Sequence, residues 1–323
     1  MPSFPLSLID LEAAARVVYR HFGPTPQYHW PLLSNRVGAE VWVKHENHTP
    51  IGAFKLRGGL VYMDALKRTE PDCPGVITAT RGNHGQSVAL AARLNGLKAV
   101  IVVPHGNNPE KNAAMEALGA ELIVHGDDFQ VAYEFAIEES ERLGLHPVRA
   151  FHPDLVCGVG TYGLEFFRGA PNLDAVYVPV GQGSGICGMI SARDALGLDS
   201  EIIGVVADQA AAYALSYQAG EARETETADT LADGLACRKP DPSALEIILK
   251  GASRIETVSE EAILEAMGIY LTDTHNLAEG AAAAALAALL AERERMAGKK
   301  VGLVLSGGNA DRALLARVVE WMK

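Results

Sequence analysis

The chain has 323 residues, 48% hydrophobic and 21% charged, so it can bury a large core and lacks the profile of a disordered segment. Lys and Arg number 28 against 40 Asp and Glu, and the net charge of -12 repels phosphate backbones and anionic lipid heads. Nucleic acid and membrane surfaces are therefore not expected partners. At about 150 residues per domain the length suggests about two domains.

The opening MPSFPLSLIDLEAAARVVYR has no basic segment ahead of its apolar residues. No apolar run reaches the roughly 18 residues a membrane span needs, so the expectation is a mature cytoplasmic chain. Short β-branched runs then recur between helical stretches: VWVK near 41, VITAT near 76, AVIVVP near 99, ELIVH near 121, AVYVPV near 175, EIIGVV near 201 and VGLVL near 301. This alternation predicts parallel α/β layers. Several runs are apolar on both faces, as strands covered by helices on either side require. Residues 85–96, 127–144 and 277–297 carry helical spacing or high Ala content. The acidic stretch 221–233 lacks periodicity and reads as a solvated loop. Cysteines at 73, 157, 187 and 237 show no metal or disulfide spacing, which points to a reducing compartment.

Four places carry chemistry. In HENHTPIGAFKLRGGLVYM, Lys55 stands at a turn opening a helix, where the positive helix end disfavours a second cation and helps lower the amine's pKa. TRGNHGQS, residues 80–87, follows a strand and opens a helix with amide and side-chain donors, an anion site or a capped turn. PVGQGSGICG, residues 179–188, sits likewise between a strand and a helix, as a phosphate cradle of backbone amides or a tight turn. LSGGN, residues 305–309, places Ser306 at the carboxyl edge of the last strand run, where open α/β sheets bind ligands. No GxGxxG follows the first strand and no GK[ST] occurs, which argues against dinucleotides and nucleoside triphosphates.

The order FK, GNHGQ, glycine cradle, SGGN resembles the serine/threonine dehydratase and serine racemase family, pyridoxal-phosphate enzymes of the tryptophan synthase β fold (fold type II), from about residue 41 to about 309. The resemblance implies that Lys55 holds pyridoxal phosphate as an imine and, once released, acts as base at the substrate Cα. Phe54 would pack on the cofactor ring, Asn83 would bond its 3-oxygen, and Gly181, Gln182, Gly183, Ser184 and Gly185 would hold its phosphate. Ser306 would face the pyridine nitrogen, and Glu279 corresponds to a family glutamate near the ring. Thr80, Arg81, Gly82, Asn83 and His84 would contact the substrate, with the α-carboxylate on the donors of this turn. A neutral hydroxyl at the pyridine makes a weaker electron sink than a carboxylate would, which suits prompt loss of a β-substituent. The implied reaction is β-elimination from threonine or serine to a 2-oxo acid and ammonia.

This chain departs from the family pattern at Arg81, where Ser is common. Arginine is a poor proton shuttle, so racemisation is expected to be weak, and the guanidinium can pair with a second substrate carboxylate, lie against the cofactor or an aromatic substrate ring, or form a salt bridge to a local acid. A dehydratase preferring 3-hydroxyaspartate or 3-phenylserine is thus the alternative, followed by an amino acid racemase. At the positions where metal-binding members carry acids, the chain has Val206 and Ala212, so no metal is expected. His45 and His48 lack a third ligand, Cys187 reads as a space-filler, and Asp233 as a loop-ordering residue.

The expected architecture is two interleaved open α/β domains, a large cofactor domain of residues 1–74 and 150–323 and a small substrate domain of 75–149. The chain ends soon after SGGN, so no C-terminal effector domain is expected. A homodimer is expected by resemblance. The rivals from other classes are a non-catalytic anion-binding regulator and, more weakly, a dinucleotide oxidoreductase.

Overall fold

The computed structural model describes residues 4–323; the first three residues of the opening segment lie outside the described residues. Among the described residues ten strands form two sheets. In chain order they are β1 (Gln27–His29), β2 (Glu40–His45), β3 (Gly75–Ala79), β4 (Lys98–Val103), β5 (Glu121–Val124), β6 (His146–Pro147), β7 (Ala175–Pro179), β8 (Glu201–Ala207), β9 (Arg254–Val258) and β10 (Lys300–Leu305). The larger sheet has the order β1-β2-β10-β7-β8-β9, parallel except for the antiparallel edge strand β1. The smaller is parallel throughout, in the order β5-β4-β3-β6.

The apolar runs become strands because helices cover both of their faces. Along β7, Ala175 and Tyr177 join the core beneath the Ala-rich helix Gly280–Ala291, while Val176 and Val178 join the core formed with helices Pro153–Gly169 and Ser184–Ala195. That is the period-2 alternation of a strand buried on both sides. In the smaller sheet, Ile77 and Ala79 pack on Ala132 and Ala136 of helix Phe129–Leu143, and Val76 faces Val88 and Ala91 of helix Asn83–Leu94. Helix Lys55–Thr69 packs on both Asn83–Leu94 and Pro153–Gly169, so it joins the two sheets' helical layers.

All seven strand runs read from the sequence are strands. β1, β6 and β9 carry too little apolar periodicity to be read: three residues, two residues, and RIETV, whose Arg254 faces Glu201, Glu256 and Glu292. The 277–297 stretch resolves into helix Gly280–Ala291 and a short helix Arg293–Met296. Residues 221–232 form no regular element, and Asp233 opens a single 3-10 turn, Asp233–Leu235. All four cysteines are free. Among the described residues no helix is long and apolar enough to cross a membrane, and no group of three His, Cys, Asp or Glu side chains is placed to hold a metal.

Candidate active site

The central strand β10 sits between β2 and β7, so the LSGGN turn at its carboxyl end lies beside the segment leaving β2 and the glycine turn leaving β7. Backbone hydrogen bonds join the first two. The Phe54 amide donates to the Ser306 carbonyl at 2.9 Å, and the Gly308 amide to the Gly52 carbonyl at 2.9 Å. Glu279 is drawn into the same place, its amide donating to the Gly307 carbonyl at 3.0 Å. Only glycine serves at 307, because a Cβ there would lie 2.4 Å from Glu279 Oε1.

Lys55 is the first residue of helix Lys55–Thr69, and its amine donates to Ser184 Oγ at 3.0 Å. No carboxylate is bonded to it, and burial alone pushes its pKa down to about 8. Ser87 Oγ donates to the Lys55 carbonyl at 2.7 Å, tying this helix start to helix Asn83–Leu94. Phe54 is half-buried; its ring stands edge-on to Tyr162 at 6.1 Å and reaches within 3.6 Å of the Cβ position of Gly185.

The turn after β7 is the cradle. Gly183 caps helix Ser184–Ala195 with φ +93, and a Cβ there would meet that of Ala244 at 2.6 Å. A Cβ at Gly181 would lie 2.0 Å from the Gly234 carbonyl oxygen. The first amides of a helix have no partner within it, which leaves those of Ser184, Gly185 and Ile186 free at the cradle, whereas the Cys187 amide donates to the Gly183 carbonyl at 3.0 Å. Gln182 belongs to its rim, its carbonyl accepting from the buried Tyr213 hydroxyl at 3.3 Å. Cys187 lies fully buried beneath, its thiol pushed up by desolvation.

Across the cleft, the turn after β3 presents Thr80, Arg81, Gly82, Asn83 and His84. Thr80 is buried, its Oγ1 accepting from the Gly82 amide at 3.1 Å. Asn83 is oriented from two sides: its Nδ2 donates to Glu279 Oε1 at 2.8 Å, and its Oδ1 accepts from Asn309 Nδ2 at 2.8 Å. The second N–H of Asn83 stays free for a ligand. Glu279 is pushed up to about 6 by burial, opposed mainly by the Lys111 charge and the Asn83 bond. His84 is buried, and burial with the Lys55 charge pushes it down to about 3; its Nε2 has no hydrogen-bond partner. Arg81 is exposed and makes no ion pair among the described residues. Lys111 lies against Gly82, its Cδ 3.3 Å from the Cβ position, and pairs with Asp233.

A family model for pyridoxal-phosphate dependent enzymes matches residues 18–307. The chain belongs to that family. This pyridoxal-phosphate enzyme is 35% identical over 97% of its length to the L-threonine ammonia-lyase of Thermotoga maritima, of which it covers 78%. It is 31% identical to the L-threo-3-hydroxyaspartate ammonia-lyase of Saccharomyces cerevisiae, over 96% of this chain and 95% of that one. Among solved structures it is similar to the processed threonine deaminase isoform 2 of Solanum lycopersicum (TM-score 0.91, 32% identity, 97% of this chain and 92% of that one). It is also similar to a pyridoxal 5'-phosphate-dependent aspartate racemase (TM-score 0.90, 28% identity, 96% and 98%). The fold type II architecture expected from the sequence is therefore established, and pyridoxal phosphate is the cofactor of this enzyme.

The residues present fit that group. A turn in which Gly181 and Gly183 have no room for a Cβ offers free helix-start amides to a phosphate, an amine with a lowered pKa lies at its edge, and an Asn side chain keeps one N–H in reserve. Ser306 is buried at the end of β10 with a hydroxyl and no charge.

Several contributors escape sequence reasoning. Asn309 was visible as the end of SGGN, but its grip on Asn83 spans 226 positions. Lys111 carries no local signal, being one lysine on an ordinary helix, Pro109–Ala117. Behind Lys55, Arg57 is fully buried and bonds Glu46, Glu165, Thr25 and Thr161, with Lys44 also on Glu165. His45 accepts from Trp30 Nε1 at 3.0 Å, which occupies one of its ring nitrogens.

Proposed function

We propose that this enzyme is an ammonia-lyase that converts a β-hydroxy-α-amino acid, threonine or serine first, to a 2-oxo acid and ammonia, with Lys55 as the cofactor-bearing base. The observation that carries the proposal is the Lys55 amine, held at the edge of a glycine cradle with no acid to keep it protonated. The Thermotoga ammonia-lyase and the tomato threonine deaminase support the reaction class.

Bound pyridoxal phosphate supplies the electron sink for the carbon that loses its proton. The chain's own residues do the rest. Gly181, Gln182, Gly183, Ser184 and Gly185 hold the phosphate through backbone amides and the Ser184 hydroxyl. Asn83, fixed by Glu279 and Asn309, would offer its free N–H to the cofactor's 3-oxygen, Ser306 would meet the ring nitrogen with a neutral hydroxyl, and Phe54 would pack on the ring. Thr80, Gly82, Asn83 and His84 bind the substrate α-carboxylate and fix the Cα–H bond for removal by Lys55, with Arg81 beside them in the same turn. The cleft lies between a large body of residues 1–74 and 150–323 and a small one of 75–149. The molecule is a cytoplasmic homodimer in this reading, which sedimentation of the purified protein tests.

A second reading is favoured by Arg81. It stands in the substrate turn with no ion-pair partner among the described residues. A free guanidinium there suits a substrate with a second carboxylate, as the yeast hydroxyaspartate ammonia-lyase supports. The same residue disfavours racemisation, because a guanidinium does not exchange protons at ordinary pH.

The deciding experiment combines borohydride trapping with peptide mapping and a 2-oxo acid assay on threonine, serine, 3-hydroxyaspartate and 3-phenylserine. Label on Lys55 with 2-oxo acid from at least one substrate is expected. Label elsewhere, or none, refutes the proposal. Arg81→Ser should lower kcat/KM for hydroxyaspartate relative to threonine by about tenfold or more, and an unchanged ratio removes Arg81 from selectivity.

A further inference from the structure

We propose that Ser184 is a positioning residue for the catalytic base: its hydroxyl docks the free Lys55 amine and aims it at the substrate Cα, besides contributing to the phosphate cradle. This rests on the reading of Lys55 as base. The Lys55 amine donates to Ser184 Oγ at 3.0 Å, and no other hydrogen bond to that nitrogen occurs among the described residues. Ser184 is itself fixed, being 2% exposed and the first residue of helix Ser184–Ala195. On another side the Phe54 ring centroid lies 5.2 Å from the amine.

These contacts suit both protonation states. A neutral amine that gives one N–H to Oγ keeps its lone pair free for a proton. After transfer, the ammonium keeps the bond to Oγ, and the ring face attracts its charge. The helix end at Ser184 works the other way, since its positive pole disfavours a lasting ammonium. The proton is thus taken up without being trapped, which a carboxylate at this position would not allow. In the step itself the Cα–H bond breaks, its electron pair stays on the substrate, and a new N–H bond forms on Lys55. Ser184 neither gains nor loses a proton.

The test uses holoenzyme at saturating cofactor and follows exchange of the Cα proton of L-alanine with D2O by NMR. Alanine has no leaving group, so the readout does not depend on which β-hydroxy amino acid is preferred. Ser184→Ala and Ser184→Gly should each slow exchange by about 10- to 100-fold, within the range general acid–base catalysis contributes, and move the pH at which the rate is half-maximal. Ser184→Thr, which keeps the hydroxyl, should recover the rate to within about threefold. Cofactor Kd, measured by equilibrium dialysis, separates this from a phosphate-binding defect. Wild-type exchange in the Ala and Gly variants at saturating cofactor overturns the proposal, including where their cofactor Kd is raised, as does absence of exchange in the wild type. Exchange in the wild type without 2-oxo acid from any substrate sinks the ammonia-lyase reading alone, and the variants still decide the role of Ser184.

Discussion

Glu279→Gln isolates one buried titration. Its carboxyl is raised from 4.5 to about 6, chiefly by burial, and Lys111, Asn83, Asp233 and the Asn309 backbone surround it. At about 1.4 kcal/mol per pH unit, that displacement corresponds to about 2 kcal/mol. A carboxyl whose pKa is higher in the folded than in the unfolded chain contributes stability below the unfolded value, and that contribution is lost as pH rises through the folded one. The wild type should therefore lose about 2 kcal/mol from this group between about pH 4.5 and pH 7.5, and the Gln variant none of it. Glutamine still accepts from Asn83 Nδ2, so the local geometry survives. Urea denaturation of both proteins at saturating cofactor, across that range, gives the stability difference as a function of pH. A difference that stays flat within about 0.5 kcal/mol would show that Glu279 is solvated or already compensated, and would refute the reasoning.

Lys55→Ala should abolish the cofactor's bound absorbance and lower turnover by about 1000-fold while leaving thermal unfolding nearly unchanged; retained absorbance would argue for a different attachment point. Gly183→Ala, at φ +93 with a contact of 2.6 Å to Ala244, should destabilise the cradle by about 1–3 kcal/mol and weaken cofactor binding in equilibrium dialysis. Arg57→Met leaves Glu46 and Glu165 without their shared cation, at a cost of about 3–5 kcal/mol in urea denaturation; a loss under about 1 kcal/mol would show that the remaining partners, Lys44 among them, compensate for it.

The sequence disclosed the parts of this molecule that depend on local pattern. Strands such as β3 and β10 are apolar apart from Thr78 and Lys300, and the turns after β3, β7 and β10 advertise themselves through glycine and small polar residues. What stayed hidden depends on distance along the chain. The Ser184 hydroxyl under the Lys55 amine spans 129 positions, and the Asn83–Glu279 bond spans 196. The Arg57 cluster was invisible for the opposite reason: a lysine, an arginine and two glutamates read as surface residues until folding buries them together. Arg81 was legible as a departure, but its lack of an ion-pair partner among the described residues is a property of the packed turn.

The placement of β10 bears on how the protein is made. The strand formed by residues 300–305 fills the middle of the larger sheet, between partners that begin at residues 40 and 175, and the turn after it is zipped to Gly52–Phe54. A nascent polypeptide emerging from the ribosome thus carries an open slot in that sheet until residues 300–305 have been translated. The turn that borders the cofactor site forms only once that strand is in place, and intermediates with the slot unfilled expose two strand edges to aggregation.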